Sequence, residues 1–171
     1  MAKREVNTYF LWGEQMLTFA NIFEAHADEF PDVCAIAYAD QEVTWGQYDE
    51  WAARLATAFN EAGLGLDSKV GMFMYNCPEY LVTQYAAFKN RITPVNVNYR
   101  YLDDELLYLL DNADCEALVF HSSLGDRIAR IKDRLPKLKL SQLLNKQIPL
   151  KFLMMTSGLM CIDHLVLVVK A

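Results

Sequence analysis

Three histidines, an aspartate pair, a run of bases and four cysteines are the side chains whose chemistry could serve catalysis or ligation in this sequence. His26 falls in Thr18–Phe30, where Phe19, Ile22, Phe23, His26 and Phe30 recur at spacings of three and four. That period predicts a helix with an apolar face and a packed histidine rather than a catalytic one. His121 ends a predicted strand, a position where active-site groups of α/β sheets often stand. His164 has no evident partner. Asp103 and Asp104 have the chemistry of a metal pair. They also open a predicted helix with Glu105, where N-capping and the positive helix end account for three acids without a metal. Arg127, Arg130, Lys132, Arg134, Lys137 and Lys139 could meet an anion or a membrane surface. The spacing of Ile128, Ile131 and Leu135 instead predicts an inward stripe, with the bases as its solvated face. Cys34, Cys77, Cys115 and Cys161 stand too far apart for any Cys-x-x-Cys pair. Zinc and a disulfide framework are disfavoured, and reduced buried thiols are expected. No His-Glu-x-x-His, Gly-x-Ser-x-Gly, P-loop or Gly-x-Gly-x-x-Gly occurs. The residues therefore nominate no catalytic, cofactor-binding or metal-ligating group.

The elements that would position these side chains are legible. After the first helix, Pro31 forbids its continuation. Ala35–Tyr38 and Glu42–Thr44 read as a hairpin joined by Ala39-Asp40-Gln41. Thr44 can cap a helix over 45–62, with Tyr48, Trp51, Ala52, Leu55, Ala58, Phe59 and Ala62 on one face and Gly63 ending it. Lys69–Tyr75 is an apolar run suited to a buried strand. Asn76 is the expected cap and Pro78 the opener of a helix to Lys89. Ile92–Val97 reads as a strand, Asp103 onward as a helix with Leu106, Leu107 and Leu110 inward, and Glu116–His121 as a strand. A last helix runs from Ser122 or Ser123 to Leu135, stopped by Pro136. The fold class is thus α/β: a partial, doubly wound parallel sheet in β-α-β-α-β-α order, preceded by a helix and a hairpin. Ligands of such sheets sit beyond the strand C-termini. The turns available there, Tyr75–Pro78, Asn96–Arg100 and His121–Ser123, are not glycine-rich and do not form a phosphate cradle.

The chain has 171 residues, of which 53% are hydrophobic and 22% charged, enough for one domain with a real core. Acids outnumber bases 22 to 16, so binding nucleic acid through its phosphates is not expected. The excess is concentrated early, with 19 acids against 7 bases over residues 1–120, while residues 121–140 carry 6 bases and 2 acids. The N-terminus lacks an apolar run of signal-peptide length, and the expected compartment is cytoplasmic. Residues 150–169 are long enough to span a bilayer, but Lys151, Asp163 and His164 interrupt them, and an Asp alone costs about 3 kcal/mol near the bilayer centre. Val166–Val169 reads as an unpartnered strand and an aggregation hazard. The expected organisation is an extension (1–17), an α/β unit (18–139) and a divergent hydrophobic tail (140–171).

Residues 18–139 resemble the beginning of a fatty acyl-CoA synthetase of the AMP-forming, adenylate-forming superfamily. Thr18–Pro31 resembles the opening helix, and Val43-Thr44-Trp45-Gly46-Gln47-Tyr48 an early core motif of that family. Gly71–Tyr80 is similar to a family helix start that pairs an Asn with a following Glu, here Asn76 and Glu79. Ala87-Phe88-Lys89-Asn90-Arg91-Ile92-Thr93-Pro94-Val95-Asn96-Val97-Asn98-Tyr99-Arg100-Tyr101, followed by Glu105-Leu106, is the most specific stretch.

The resemblance implies a family reaction that activates a carboxylate with ATP and Mg to an acyl-adenylate, releases pyrophosphate and passes the acyl group to CoA. The family's nucleotide loop, Ser/Thr–Ser/Gly–Gly–Ser/Thr–Thr–Gly–x–Pro–Lys–Gly, is absent. Met155-Thr156-Ser157-Gly158-Leu159-Met160 keeps only Thr-Ser-Gly, with bulk where a backbone must approach phosphates. The expectation is an N-terminal part of an AMP-dependent fatty acid–CoA ligase, inactive alone, with no cofactor of its own. The alternative is a stand-alone α/β binding or interaction module. Fatty acid and CoA are partners only of a complete enzyme. Peripheral membrane contact or self-association through exposed apolar surface is the remaining partner expectation, and an unpaired sheet edge implies marginal stability.

Overall fold

A computed structural model describes residues 17–135 and the strand at 165–169. Helix α1 (Phe19–Glu29) starts at Thr18, whose hydroxyl accepts from the Asn21 N–H while the Asn21 carboxamide accepts from the Thr18 N–H. The hairpin β1 (Cys34–Tyr38) and β2 (Gln41–Thr44) closes one residue tighter than expected. Tyr38 pairs with Gln41, which leaves only Ala39 and Asp40 in the turn, with Ala39 at φ 51°. Helix α2 (Trp45–Glu61) has the expected Thr44 cap, reciprocated by Gln47. It ends as predicted at Gly63, whose φ of 78° lets the Leu64 N–H reach the Phe59 carbonyl at 2.9 Å.

The sheet follows. Strand β3 (Lys69–Phe73) leads through helix α3 (Pro78–Lys89) to β4 (Thr93–Val97). Helix α4 (Asp103–Asn112) then returns the chain to β5 (Ala117–His121). Strands β4, β3 and β5 lie side by side and parallel, in that order, which is the expected β-α-β-α-β core. After β5, a 3₁₀ turn (Ser122–Leu124), helix α5 (Gly125–Ile131) and a second 3₁₀ turn (Lys132–Arg134) replace the single helix expected to Leu135.

Alternation along the strands builds two cores. Val70, Met72, Met74, Ala117 and Val119 meet α2 and α3 through Leu55, Phe59, Val82 and Tyr85. Phe73, Val97, Leu118 and Phe120 meet α4 and α5 through Leu106, Leu110, Ile128 and Ile131. The helix after β3 thus covers one face and the helix after β4 the other, so the sheet is doubly wound. Gly71 occupies the second face, where an added Cβ would come within 2.9 Å of Leu118 Cδ1 and 3.0 Å of Leu110 Cδ2. Both leucines are fully buried and have little room to yield. Gly71→Ala is therefore expected to destabilise by about 1–3 kcal/mol in urea unfolding through overpacking, despite alanine's lower entropy cost.

Helix α1 corrects two expectations. Its inward residues are Ala20, Phe23 and Ala27, whereas Phe19, Ile22 and Phe30 remain exposed. His26 is exposed too, with Nδ1 3.0 Å from the Ile22 carbonyl and its ring 5.2 Å from Trp45. The period was helical, but a short helix laid on α2 and α3 buries a narrower stripe than its aromatic content suggests. The thiols also divide: Cys34 is exposed, Cys77 half-buried and Cys115 buried.

The apolar C-terminal strand has a partner. Strand β6 (Leu165–Val169) pairs antiparallel with β5, from Ala117↔Val169 to His121↔Leu165, and completes a four-stranded sheet. This overturns the unpartnered reading of Val166–Val169, and a strand there excludes one helix spanning 150–169. Among the described residues no helix is long and apolar enough to cross a membrane. The opposite edge, β4, is blunted. Thr93 donates inward to the Ser68 carbonyl at 2.9 Å, so the next residue, Pro94, turns its N–H-less nitrogen outward.

Candidate functional site

The C-terminal ends of β3, β4 and β5 bring His121 and the strand-to-helix turns singled out in the sequence to one side of the sheet. A cavity of about 310 Å³ opens between β3 and β4, against the start of α3. Met74 and Val97 are its buried apolar residues, Tyr80 and Tyr99 its half-buried aromatic ones, and Asn76, Asn96 and Asn98 its exposed carboxamides. Asn76 is not the helix cap expected from sequence. The cap position is Cys77, whose side chain makes no capping bond, and the Tyr80 N–H closes on the Cys77 carbonyl at 3.0 Å. Pro78 at the first helical position removes one N–H that a cap would serve, which releases Asn76 to the cavity.

An aromatic row continues from the cavity to β5. The Tyr75 ring lies 5.0 Å from Tyr99 and meets His121 edge-on at 5.2 Å. His121 Nδ1 accepts the Ser123 N–H at 3.2 Å and lies 2.8 Å from Ser123 Oγ. The imidazole thus caps the 3₁₀ turn that follows its own strand. A ring nitrogen that accepts a backbone N–H is held in one orientation, which is a structural use. His121 is therefore placed at the strand end as expected, and its described bonds are those of a cap.

The Asp103–Asp104 pair and the bases explain one another. Neither aspartate caps α4. The cap position is Leu102, whose N–H is taken by Glu105 Oε2 at 3.0 Å. Asp103 instead forms a two-pronged pair with Arg130, at 2.7 and 2.8 Å, and Asp104 meets Arg134 Nη1 at 3.1 Å. The guanidinium beside it holds the Asp103 carboxyl below the usual carboxylate range and raises Arg130 in return. Arg127 is not on a solvated face. Its Nη1 donates to the carbonyls of Tyr99 at 2.7 Å and Tyr101 at 2.9 Å. Arg127 thus ties α5 to the β4–α4 loop that forms one wall of the cavity, while Arg130 and Arg134 tie α5 and the turn after it to the start of α4, a tertiary arrangement invisible in linear charge patterning. Arg127→Met is expected to cost about 1.5–3 kcal/mol, because two carbonyls lose a charged donor. Hydrogen exchange should show faster protection loss at Tyr99–Tyr101 than at β3.

The chemistry of the site is neutral. Among the described residues no group of three or more His, Cys, Asp or Glu could hold a metal ion. Burial and the neighbouring Glu79 push the Cys77 thiol up to about 12, and burial pushes Cys115 up to about 11, so neither offers a thiolate near pH 7. A triphosphate with magnesium needs cationic or backbone-amide donors that reach the phosphates. The cavity offers carboxamides and phenols without lysine, arginine or glycine among its lining residues. These residues do not fit such a group. Thr156-Ser157-Gly158, Cys161 and His164 lie outside the described residues.

Known proteins agree with this architecture. The family model for AMP-binding enzymes matches residues 23–155. The 3-oxocholest-4-en-26-oate–CoA ligase of Rhodococcus rhodochrous is 37% identical over 123 residues, covering 72% of this chain and 22% of the relative. The chain thus spans about a fifth of the length of that curated relative. Among solved structures, an anthranilate CoA ligase bound to anthranoyl-AMP superposes with a TM-score of 0.69 at 21% identity, over 72% of this chain and 24% of that one. The N-terminal domain of FACL13 from Mycobacterium tuberculosis gives 0.64 at 21% identity, over 68% of this chain and 30% of that one. At such identities the structures support the fold, while the family model covers most of the sequence; the chain belongs to the AMP-binding enzyme family.

Proposed function

We propose that this chain is the N-terminal α/β part of an AMP-dependent fatty acid–CoA ligase and that its 171 residues alone do not form an acyl-adenylate. One observation carries the reading: 37% identity to a CoA ligase over 123 residues, in a sequence without the glycine- and threonine-rich phosphate loop. In this reading residues 18–139 are the ligase-derived unit and 140–171 the divergent tail. ATP, Mg and CoA belong to the complete enzyme, with fatty acid as its substrate, and no residue of this chain is assigned a catalytic, cofactor-binding or metal-binding role. The chain's contribution is mechanical. Two apolar cores hold a rigid sheet whose strand ends are presented to one side, where an adenylating half would pack. A cytoplasmic location goes with the activity proposed for the whole protein.

The reading is tested by ATP–pyrophosphate exchange with palmitate and the purified chain. Exchange is expected at the level of the protein-free blank. Turnover that scales with protein and is abolished by removing palmitate overturns the inactivity.

A further inference from the structure

The cavity between β3 and β4 has an uncharged lining rich in carboxamides, and this holds independently of the ligase reading. The carboxamides of Asn76 and Asn96 make no hydrogen bond among the described residues. Asn98 uses its Oδ1 to accept the Arg100 N–H at 3.0 Å, which leaves its NH₂ to donate. The rim therefore offers both donors and acceptors, while Met74 and Val97 below it are apolar and buried. Tyr80 and Tyr99 supply flat walls. No lining residue carries a charge, so a carboxylate entering the cavity would lose hydration without gaining an ionic partner from its lining. Arg100 is the cation to reckon with: its guanidinium lies over the Tyr99 ring, 5.5 Å from the centroid, but it is not among the lining residues. The volume is at the lower end of the range of about 300–1,000 Å³ for small-molecule sites. Its place, beyond the C-terminal ends of two parallel strands, is at the end of the sheet where α/β folds bind ligands.

We propose that this cavity binds a small neutral amide, with the carbonyl and NH₂ of the ligand paired to Asn76, Asn96 and Asn98 and its alkyl portion on Met74 and Val97. An amide matches a carboxamide donor for acceptor and acceptor for donor, which neither an anion nor an alkane does.

The test is a titration of the ¹⁵N-labelled chain with hexanamide and, separately, hexanoate at pH 7. Hexanamide is expected to give saturable shifts at the side-chain NH₂ signals of Asn76, Asn96 and Asn98, with a dissociation constant of about a millimolar for a ligand so small. Hexanoate should bind about tenfold more weakly. The double variant Asn76→Ala/Asn96→Ala changes only exposed side chains and should weaken hexanamide about tenfold while leaving the unfolding midpoint in place. Equal or tighter binding of hexanoate overturns the proposal, because Arg100 would then dominate the site. Absence of saturable shifts with hexanamide, or unchanged affinity in the double variant, overturns it as well.

Discussion

Phe73→Ala is expected to remove about 3–5 kcal/mol of folding stability, most of the margin of a domain whose total is about 5–15 kcal/mol. Phe73 is fully buried on the central strand and registers with Val97 on one side and Phe120 on the other. The same core brings Leu106, Leu110 and Leu118 to it from α4 and β5. Truncation would leave a cavity bounded by rigid strands on two sides and by a helix on the third, with little freedom to collapse. Tyr108→Ala is the matched control. That side chain is 70% exposed on the outer face of α4, and its loss should stay within about 0.5 kcal/mol. Urea midpoints of the two variants check both statements. Equal midpoints would mean that the second core is not formed as described.

The second large effect is alkaline destabilisation. Tyr48 and Tyr85 are buried against each other, 4.9 Å between ring centroids, at the junction of α1, α2 and α3. Tyr48 donates to the Leu81 carbonyl at 3.0 Å, and Tyr85 donates to the Asp49 carboxylate. Lys89 completes the group, 2.8 Å from Asp49 and 2.9 Å from Glu24, with its ammonium over the Tyr85 ring. Burial raises both phenols well above 10, and the Asp49 charge raises Tyr85 further. In the unfolded chain these phenols ionise near 10. Above that pH the unfolded state holds fewer protons than the folded one, so stability falls as pH rises. Below pH 10 the contribution is fully present. Two such groups give a slope of about 2.7 kcal/mol per pH unit above 10. Tyr85→Phe should roughly halve the slope, while also costing stability at pH 7, since Asp49 loses a donor. Urea unfolding at pH 8, 10 and 11 reads the slope directly. A flat profile through pH 11 would show that the two phenols reach solvent in the folded chain.

Much of the scaffold was legible because its signals are local. Thr44 followed three residues later by Gln47 names a capping box, Gly63 names a left-handed stop, and Pro78 names a first helical turn. Short apolar runs at 69–75, 92–97 and 116–121, separated by helical periods, require parallel pairing because each crossover reverses the chain. These features depend on backbone geometry within one turn or one strand. The site was legible only in part. His121 and the Asn-rich turn were placed at strand ends correctly, but Asn76 read as a cap and is a cavity wall. Only the tertiary structure decided which faces were covered. Packing α1 across α2 and α3 left His26, Phe19 and Ile22 in solvent, although their spacing alone made them a core stripe. Folding α5 back onto the start of α4 turned a run of bases into specific partners of Asp103, Asp104 and the Tyr99–Tyr101 carbonyls. Docking β6 on β5 gave an apolar tail strand its backbone partners from residues more than forty positions away. Caps and strands are written in neighbouring residues, whereas burial, ion pairing and edge protection depend on which distant surfaces meet.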